Sequence, residues 1–143
     1  MIDLLPGINS AASALDAERI RMDVVSQNIA NVDTTRGIDG KPYQRQQVVF
    51  QSVLNAQQAA DTAGFATQSV QIACVQKDQR PPRMVYNPAH PDANAQGMVA
   101  MPDINIHEEM VDMIASSRAY EANLAVVKNA RTMAMQYLSI GKH

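Results

Sequence analysis

Residues 8–32 read INSAASALDAERIRMDVVSQNIANV, and apolar side chains recur along them every seven residues. The unbroken line of this repeat contains Ile8, Leu15, Met22 and Ile29. A second line, offset by three residues, is interrupted by Glu18 and otherwise contains Ala11, Val25 and Val32. Such a pattern is typical of a helix that buries one side against a partner helix. It predicts an N-terminal helix of roughly 35 Å that needs a partner, either within the chain or outside it.

The C-terminal segment, residues 105–140, repeats the pattern. Its seven-residue line contains Ile106, Met113, Tyr120, Val127 and Ala134. A second line, four residues further on, is interrupted by Ser117 and Arg131 and otherwise contains Met110, Leu124 and Leu138. Asn105 followed by Glu108 predicts an N-terminal cap, and Glu108 and Glu109 suit the positive end of the helix dipole. Gly141 suits a helix C-terminus, so we predict a second helix of about 50 Å.

The middle of the chain has a different composition, because it contains six of the seven prolines. Short apolar runs at Val48–Phe50, at residues 70–74 and at Met84–Tyr86 predict two or three β-strands separated by turns. The polar, alanine-rich residues 55–64 are consistent with either a loop or a short helix. About seventy residues with so few strands predict a small insert with a weak core of its own.

These segments together predict a mainly α fold. Residues 1–34 would carry the N-terminal helix and residues 104–143 the C-terminal helix of one inner core domain. Residues 35–103 would form a loop and a small β-rich insert between them. The two helices are expected to form a coiled-coil-like antiparallel pair, to associate with helices of other chains, or to do both.

Composition excludes several classes of protein. The chain has 143 residues, which is the size of one domain, and aromatic residues make up only 4% of it. Its formal net charge of −2 argues against binding to nucleic acid. One cysteine, Cys74, excludes an internal disulfide. We expect no membrane-spanning segment and no cleavable signal peptide, since no long apolar run occurs and the N-terminus lacks a basic region.

No pattern in the chain indicates catalysis, so we expect a protein without catalytic residues, cofactor or metal. His90, His107 and His143 lack the spacing of metal ligands. No phosphate-binding glycine loop or nucleophile motif occurs. Cys74 is expected to be a buried packing thiol rather than a nucleophile.

Four segments, in the expected order, resemble the axial proteins of the bacterial flagellum, the family of rod and hook subunits. The first is SQNIANVDT at residues 26–34, with the motif residues Asn28, Ala30, Asn31 and Thr34. The second is a G-x-P-Y loop followed by a V-V-F strand at residues 40–50, which resembles proximal-rod members rather than distal rod and hook proteins. Residues 86–105 resemble the passage that precedes the last helix in that family.

The fourth segment is the C-terminal signature E-E-M-V-x-M-I…S-R-x-Y-x-A-N at residues 108–123. Its motif residues are Glu108, Glu109, Ser117, Arg118, Tyr120 and Asn123. Residues 51–79 carry no comparable motif, so the resemblance covers mainly residues 10–50 and 80–142.

This resemblance implies a structural subunit of the proximal rod, the drive shaft that transmits torque across the periplasm. Such subunits leave the cell through the flagellar type III export apparatus without a cleaved leader. Their terminal helices form the inner wall of the tube. The implied partners are copies of the chain itself and the neighbouring rod proteins FlgB, FlgF, FlgG and FliE. We expect the marginal helices to complete their folding when neighbours supply further apolar contact.

Alternative interpretations remain open at this point. The heptad lines fit an ordinary two-helix core, and the chain could be a coiled-coil adaptor or export chaperone of a secretion system, or a small hydrolase with an unrecognised site. Asn28 and Asn31 could cap the first helix locally or fix the loop that joins it to the insert. Arg118 and Glu121 could form a weak surface pair or bridge two subunits.

Overall fold

The computed structural model describes residues 5–54 and 68–140, which form two long helices and four β-strands. Helix α1 comprises Leu5–Ala30 and helix α2 comprises Ile106–Ile140. Between them lie β1 (Gln46–Leu54), β2 (Gln68–Lys77), β3 (Arg83–Tyr86) and β4 (Met98–Met101). The prediction of one long helix near each end with a small β-containing insert between them is therefore confirmed.

The start of α2 shows the predicted cap. The Asn105 side-chain oxygen accepts a hydrogen bond from the His107 backbone N–H at 3.1 Å. The Asn105 amide group donates to Oε1 of Glu108, also at 3.1 Å. These bonds fix the first turn, where the helix has free backbone N–H groups. Gly141, the predicted C-terminal signal, lies outside the described residues.

The strands form two separate antiparallel pairs, β1 with β2 and β3 with β4. All three predicted apolar runs lie in strands, whereas β4 was not predicted. The sequence MVAM of β4 is only four residues long. Its partner β3 pairs Val85 with Val99, which is among the most buried side chains of the described chain. Residues 55–64, predicted as a loop or a short helix, lie outside the described residues.

The expectation that Cys74 is buried is wrong, because its side chain is exposed. Cys74 lies opposite Val49 in the β1–β2 register, and Val49 is exposed as well. A two-stranded ribbon has two faces. Helix α1 packs against the β1–β2 ribbon from one side, so it covers only one face. Phe50 and Val75, the neighbours of Val49 and Cys74 in the strands, are exposed as well.

The turn between β3 and β4 requires a glycine. Gly97 has a φ of +74°, and a Cβ atom there would lie 2.9 Å from the Tyr86 ring. Asn94 completes the turn, since its side-chain oxygen accepts from the backbone N–H groups of Gln96 and Met98. The turn therefore positions the chain directly before the segment that leads into α2.

Small side chains make up most of the core. Helix α1 packs against α2 on one side and against β1 and β2 on another. The buried apolar residues of the described chain are Ala11, Ala17, Val24, Val25, Val99, Ile104 and Ala130. The close approach that such residues permit gives narrow contacts rather than a thick apolar core.

Candidate functional site: a polar junction and an uncovered helix segment

Asn28, near the C-terminal end of α1, is the centre of a buried polar contact. Its side chain is only 1% exposed. The amide group donates to the Gln46 carbonyl and to Oε2 of Glu109, each at 2.9 Å. The side-chain oxygen accepts from the Gln46 backbone N–H at 2.9 Å and from the Tyr43 hydroxyl at 3.1 Å. All four hydrogen bonds that an asparagine side chain can make are therefore formed.

These bonds join three parts of the chain. Asn28 belongs to α1, Gln46 begins β1, and Glu109 lies in the first turn of α2. The Asn28 side chain bonds to both the N–H and the carbonyl of Gln46, as a neighbouring strand would, so it links the start of β1 to α1. Of the two roles considered for Asn28, the structure shows the one in which it fixes the segment leading to the insert. Asn31 acts locally, since its amide donates to the Gln27 carbonyl at 2.8 Å.

Glu109 is equally buried, at 1% exposure, and its charge is paired. Oε1 accepts from Nε of Arg45, whose side chain is itself mostly buried. Arg45 also lies 3.8 Å from the Asp112 carboxylate, which in turn accepts a hydrogen bond from Arg21 of α1 at 3.3 Å. A buried carboxylate is tolerated when a cation and hydrogen bonds compensate its desolvation, and all of these are present here. We call this set of Arg21, Asn28, Tyr43, Arg45, Glu109 and Asp112 the polar junction.

Tyr43 closes one side of the polar junction. Its partial burial, together with the negative charge of Glu109, raises the pKa of the hydroxyl above its usual value of 10.0. The neutral hydroxyl is the form that can donate to Asn28, so the raised pKa and the hydrogen bond favour the same protonation state.

A second ionic contact joins the end of β2 to the segment before α2. Arg80 donates to the Asp78 carboxylate at 2.7 Å and lies 3.2 Å from Asp103. The hydrogen bonds from Arg80 hold the pKa of Asp78 below its usual value of 3.8. Arg80 and Asp103 are exposed, so the contact contributes little to stability and acts mainly as a positional link.

Glu18 occupies the interruption in the heptad line of α1. Among the described residues its Oε2 atom is buried without a hydrogen-bond partner, and Arg21 lies 3.9 Å away. The charge is therefore only weakly compensated within the described part of the chain.

The C-terminal part of α2, residues 124–140, differs from the polar junction because most of its side chains are exposed. Large apolar side chains are exposed on several sides of this segment, and Leu138 and Ile140 are 74% and 73% exposed. The exposed set contains Leu124, Val126, Met133, Met135, Tyr137, Leu138 and Ile140. A helix that is apolar around most of its circumference is typical of a segment that other helices surround. We call residues 124–140 the uncovered segment.

The structure separates the predicted assembly seam into two groups. One group is half-buried or buried within the chain and contains Ile8, Leu15, Met22, Val25, Ile29, Met113, Tyr120 and Val127. The other group is exposed and contains Ile106, Met110, Leu124 and Leu138. Within the chain, the second heptad line of α2 is therefore not a packing line. The buried residues of α2 are instead Glu109, Ser116 and Ala130.

The family-motif residues are also divided. Asn28 and Glu109 meet in the polar junction, while Thr34 donates to the Asn31 side chain at 3.2 Å. Ser117, Tyr120 and Asn123 are half-buried along α2, and Ala30, Glu108 and Arg118 are exposed. No ion pair forms between Arg118 and Glu121 in the described chain, so the possibility that they bridge two subunits stays a prediction.

Sequence reasoning missed Arg21, Tyr43, Arg45 and Asp112 as members of the polar junction. The available signal was Glu109 itself, because a charged residue on the helix side that faces a partner requires a counter-charge. It also missed Ser116, which forms a seven-residue line with Glu109, Asn123 and Ala130. Small and polar residues that recur every seven positions indicate the close approach of two helices just as apolar residues do.

Neither helix of the described part is apolar enough over a sufficient length to cross a membrane. Over residues 5–54 and 68–140, no cluster of three or more His, Cys, Asp or Glu side chains has the arrangement of a metal site.

Comparison with protein families gives two matches that agree with the positions of the helices. Residues 8–36 match the family described as "Flagella basal body rod protein". Residues 95–140 match the family described as "Flagellar basal body rod FlgEFG protein C-terminal". The two matches cover most of α1 with the following loop, and β4 with α2, and the hydrogen bond between Asn28 and Glu109 joins these two parts.

Relatives are similar over nearly the whole chain. The flagellar basal-body rod protein FlgC of Borreliella burgdorferi is 41% identical, covering 96% of this chain and 97% of the relative. FlgC of Bacillus subtilis is 42% identical, covering 94% and 96%. FlgC of Escherichia coli O157:H7 is 40% identical, covering 97% and 98%. The similarity therefore includes the insert as well as both helices.

Proposed function

Because the chain belongs to the FlgC family of flagellar basal-body rod proteins, we propose that it polymerises through its two helices into the proximal part of the rod. It is a structural subunit of the basal-body rod. In the proposed role, the helices form the inner wall of a shaft that crosses the periplasm and transmits torque, and the insert lies on the outside. The observation that carries this function is identity of about 40% with FlgC proteins over almost the full chain.

The helices of one subunit are proposed to run antiparallel as a coiled-coil-like pair. Two contacts support this direction. Asn28 bonds to Glu109, while Arg21, seven residues earlier, bonds to Asp112, three residues later. As the residue number decreases along α1 it increases along α2, as in an antiparallel pair. The inner core domain would then comprise residues 1–34 and 104–143, with residues 35–103 as the insert.

Neighbouring subunits are proposed to cover the uncovered segment. Three exposed residues of the seam share one side of α2, where a second helix could pack: Met110, Leu124 and Leu138. The remaining apolar residues of the uncovered segment point to other sides. Burial of such side chains contributes roughly 1.5–3 kcal/mol each before ordering costs. An isolated subunit exposes this surface, so polymerisation stabilises it. The completion of its fold is thereby coupled to assembly.

The proposed partners are copies of the chain and the neighbouring rod proteins FlgB, FlgF, FlgG and FliE. The subunit is proposed to reach the rod through the flagellar export apparatus without a cleaved leader. A small core of mostly Ala and Val side chains supports this route, because a marginally stable chain is easily kept unfolded for passage through a narrow channel.

The test is replacement of the gene in the bacterium that encodes the chain. We expect its removal to abolish motility and to leave basal bodies without a complete rod by electron microscopy. Re-expression of the intact chain should restore both, whereas a variant lacking Leu5–Ala30 should not enter purified basal bodies. Complete rods in the absence of the chain, or normal incorporation of the variant without α1, would contradict the proposal.

A further inference from the structure

The outward faces of the two helices carry opposite charges. On α1, the exposed residues Asp16, Arg19, Ile20 and Asp23 are spaced three or four residues apart, so they share one side of the helix, where two carboxylates outnumber one guanidinium. On α2, the exposed residues of the uncovered segment that share one side by the same rule are Leu124, Lys128, Arg131, Met135 and Leu138. We call these the acidic face and the basic face.

The two faces cannot meet within one chain. Arg21 and Asn28 contact α2, and at 3.6 residues per turn the acidic face lies roughly 120° around α1 from that side. None of Asp16, Asp23, Lys128 and Arg131 forms an ion pair with any described residue. Both faces are therefore available to another molecule, and each combines exposed charge with exposed apolar surface.

The surroundings of the acidic face fit a helix as its partner. Asp16 and Ile20 line a groove of about 430 Å³ between α1 and β2, which also includes Val70 and Ile72. The groove offers an apolar floor with a carboxylate at its rim. The basic face offers apolar Leu124 and Met135 on either side of its two cations. Apolar surface thus matches apolar surface, and the net charges of the two faces are opposite.

We propose that the basic face of one copy of this chain packs on the acidic face and adjoining groove of a second copy. This proposal rests on the function proposed above and specifies the contact by which the subunits polymerise. The two faces differ, so the contact is heterologous: after binding, one copy keeps a free acidic face and the other keeps a free basic face. A contact of this type does not close as a two-fold dimer but continues from copy to copy into a ring or an open helical array, and the second is the form that a shaft requires.

Charge reversal tests the contact in living cells. One variant carries Asp16→Lys and Asp23→Lys, a second carries Lys128→Glu and Arg131→Glu, and a third carries all four changes. Like charges placed opposite each other should reduce the amount of each double variant in purified basal bodies at least about tenfold. The fourfold variant should recover to within about threefold of the unaltered chain, because the attraction is restored with its direction reversed.

A matched control makes the same charge changes elsewhere. Asp39 and Lys77 are exposed and lie outside both faces, so Asp39→Lys with Lys77→Glu should leave incorporation unchanged. Circular dichroism of each purified variant checks that the helices are retained. A fourfold variant no better than the double variants, or double variants that incorporate normally, would overturn the proposed contact.

Zero-length cross-linking gives an independent measurement on unaltered basal bodies. A carbodiimide joins a carboxylate to an amine, so it should couple Asp16 or Asp23 to Lys128 in a product of twice the chain mass, identified by its peptides. Coupling of these aspartates only to a different protein would contradict contact between copies. Rods that form without the chain refute its function, whereas rods that need the chain but lack this coupling refute only the contact.

Discussion

The two ends of α2 differ in how far contacts within the chain pair their polar groups and cover their apolar side chains. At the N-terminal end, Glu109 and Ser116 are buried, and Asn28 and Arg45 provide partners for the Glu109 carboxylate. At the C-terminal end, Leu138 and Ile140 remain exposed. The first region has its buried polar groups paired within the chain, although its apolar residues Val111 and Ile114 are exposed. The second has exposed large apolar side chains and no buried polar side chain among the described residues.

This difference separates folding from assembly. Hydrogen bonds and paired charges at the polar junction depend on precise geometry, so they define one position for α1, α2 and β1 relative to each other. Apolar surface in the uncovered segment is non-directional and gains from any close neighbour. Substitutions in the first region should therefore reduce the stability of the isolated chain, and those in the second should reduce assembly.

The largest effect is expected from Leu124→Asp in the uncovered segment. Leu124 is half exposed in the single chain, so the substitution should lower the free energy of unfolding of purified protein by only about 1–1.5 kcal/mol. In the rod, an unpaired carboxylate would be buried at the subunit contact, which is strongly unfavourable. We expect loss of motility with normal expression, measured by swimming assays and immunoblotting.

Glu121→Gln is the control for this variant, because Glu121 is also exposed and lies one turn away on the same helix. It should preserve motility. A motile Leu124→Asp strain would show that the line of Met110, Leu124 and Leu138 does not contact neighbours, and the comparison between the two ends of α2 would lose its functional meaning.

Asn28→Asp in the polar junction should have the reverse effect. The shape is almost unchanged, but the two N–H donors are replaced by an oxygen that faces the Glu109 carboxylate and the Gln46 carbonyl. Breaking a buried charged network in this way costs about 3–5 kcal/mol. Urea unfolding of the purified chain, followed by circular dichroism, should show this loss.

Asn31→Asp is the matched control, with the same chemistry three residues further along the chain. Asn31 donates only to the exposed Gln27 carbonyl, so the cost should be below about 1 kcal/mol. Equal losses at the two positions would mean that the polar junction contributes no more to stability than a surface turn does.

The sequence predicted the elements that depend on local pattern. The seven-residue lines predicted both helices, and Asn105 with Glu108 predicted the cap, because a cap forms between residues three positions apart. Runs of apolar residues predicted three of the four strands. In each of these cases the physical cause lies within a few residues of its effect.

The polar junction could not be predicted in this way. Asn28 and Glu109 are 81 residues apart in the chain, and Arg45 and Glu109 are 64 apart. The resemblance to the flagellar family marked Asn28 and Glu109 as motif residues but did not indicate that they bind each other. The second heptad line of α2 stays exposed within the single chain, where Glu109, Ser116 and Ala130 are the buried residues of the helix, so the packing of this line against other chains stays a prediction.

The smallest effect is expected from Tyr43→Phe, which removes one of the four hydrogen bonds of Asn28. The side-chain oxygen of Asn28 keeps its bond from the Gln46 N–H, so the cost near neutral pH should be about 1 kcal/mol. The pKa of Tyr43 is raised in the folded chain, so its stabilising contribution is complete below pH 10 and is lost as the pH rises through the folded-state pKa. The stability difference between the two proteins should therefore shrink above pH 10, as measured by urea unfolding at several pH values. Tyr86→Phe, at an exposed tyrosine, should not show the cost near neutral pH. If the stability difference between Tyr43→Phe and the unaltered chain stays constant up to the highest pH at which both fold, this hydroxyl does not titrate as part of the polar junction.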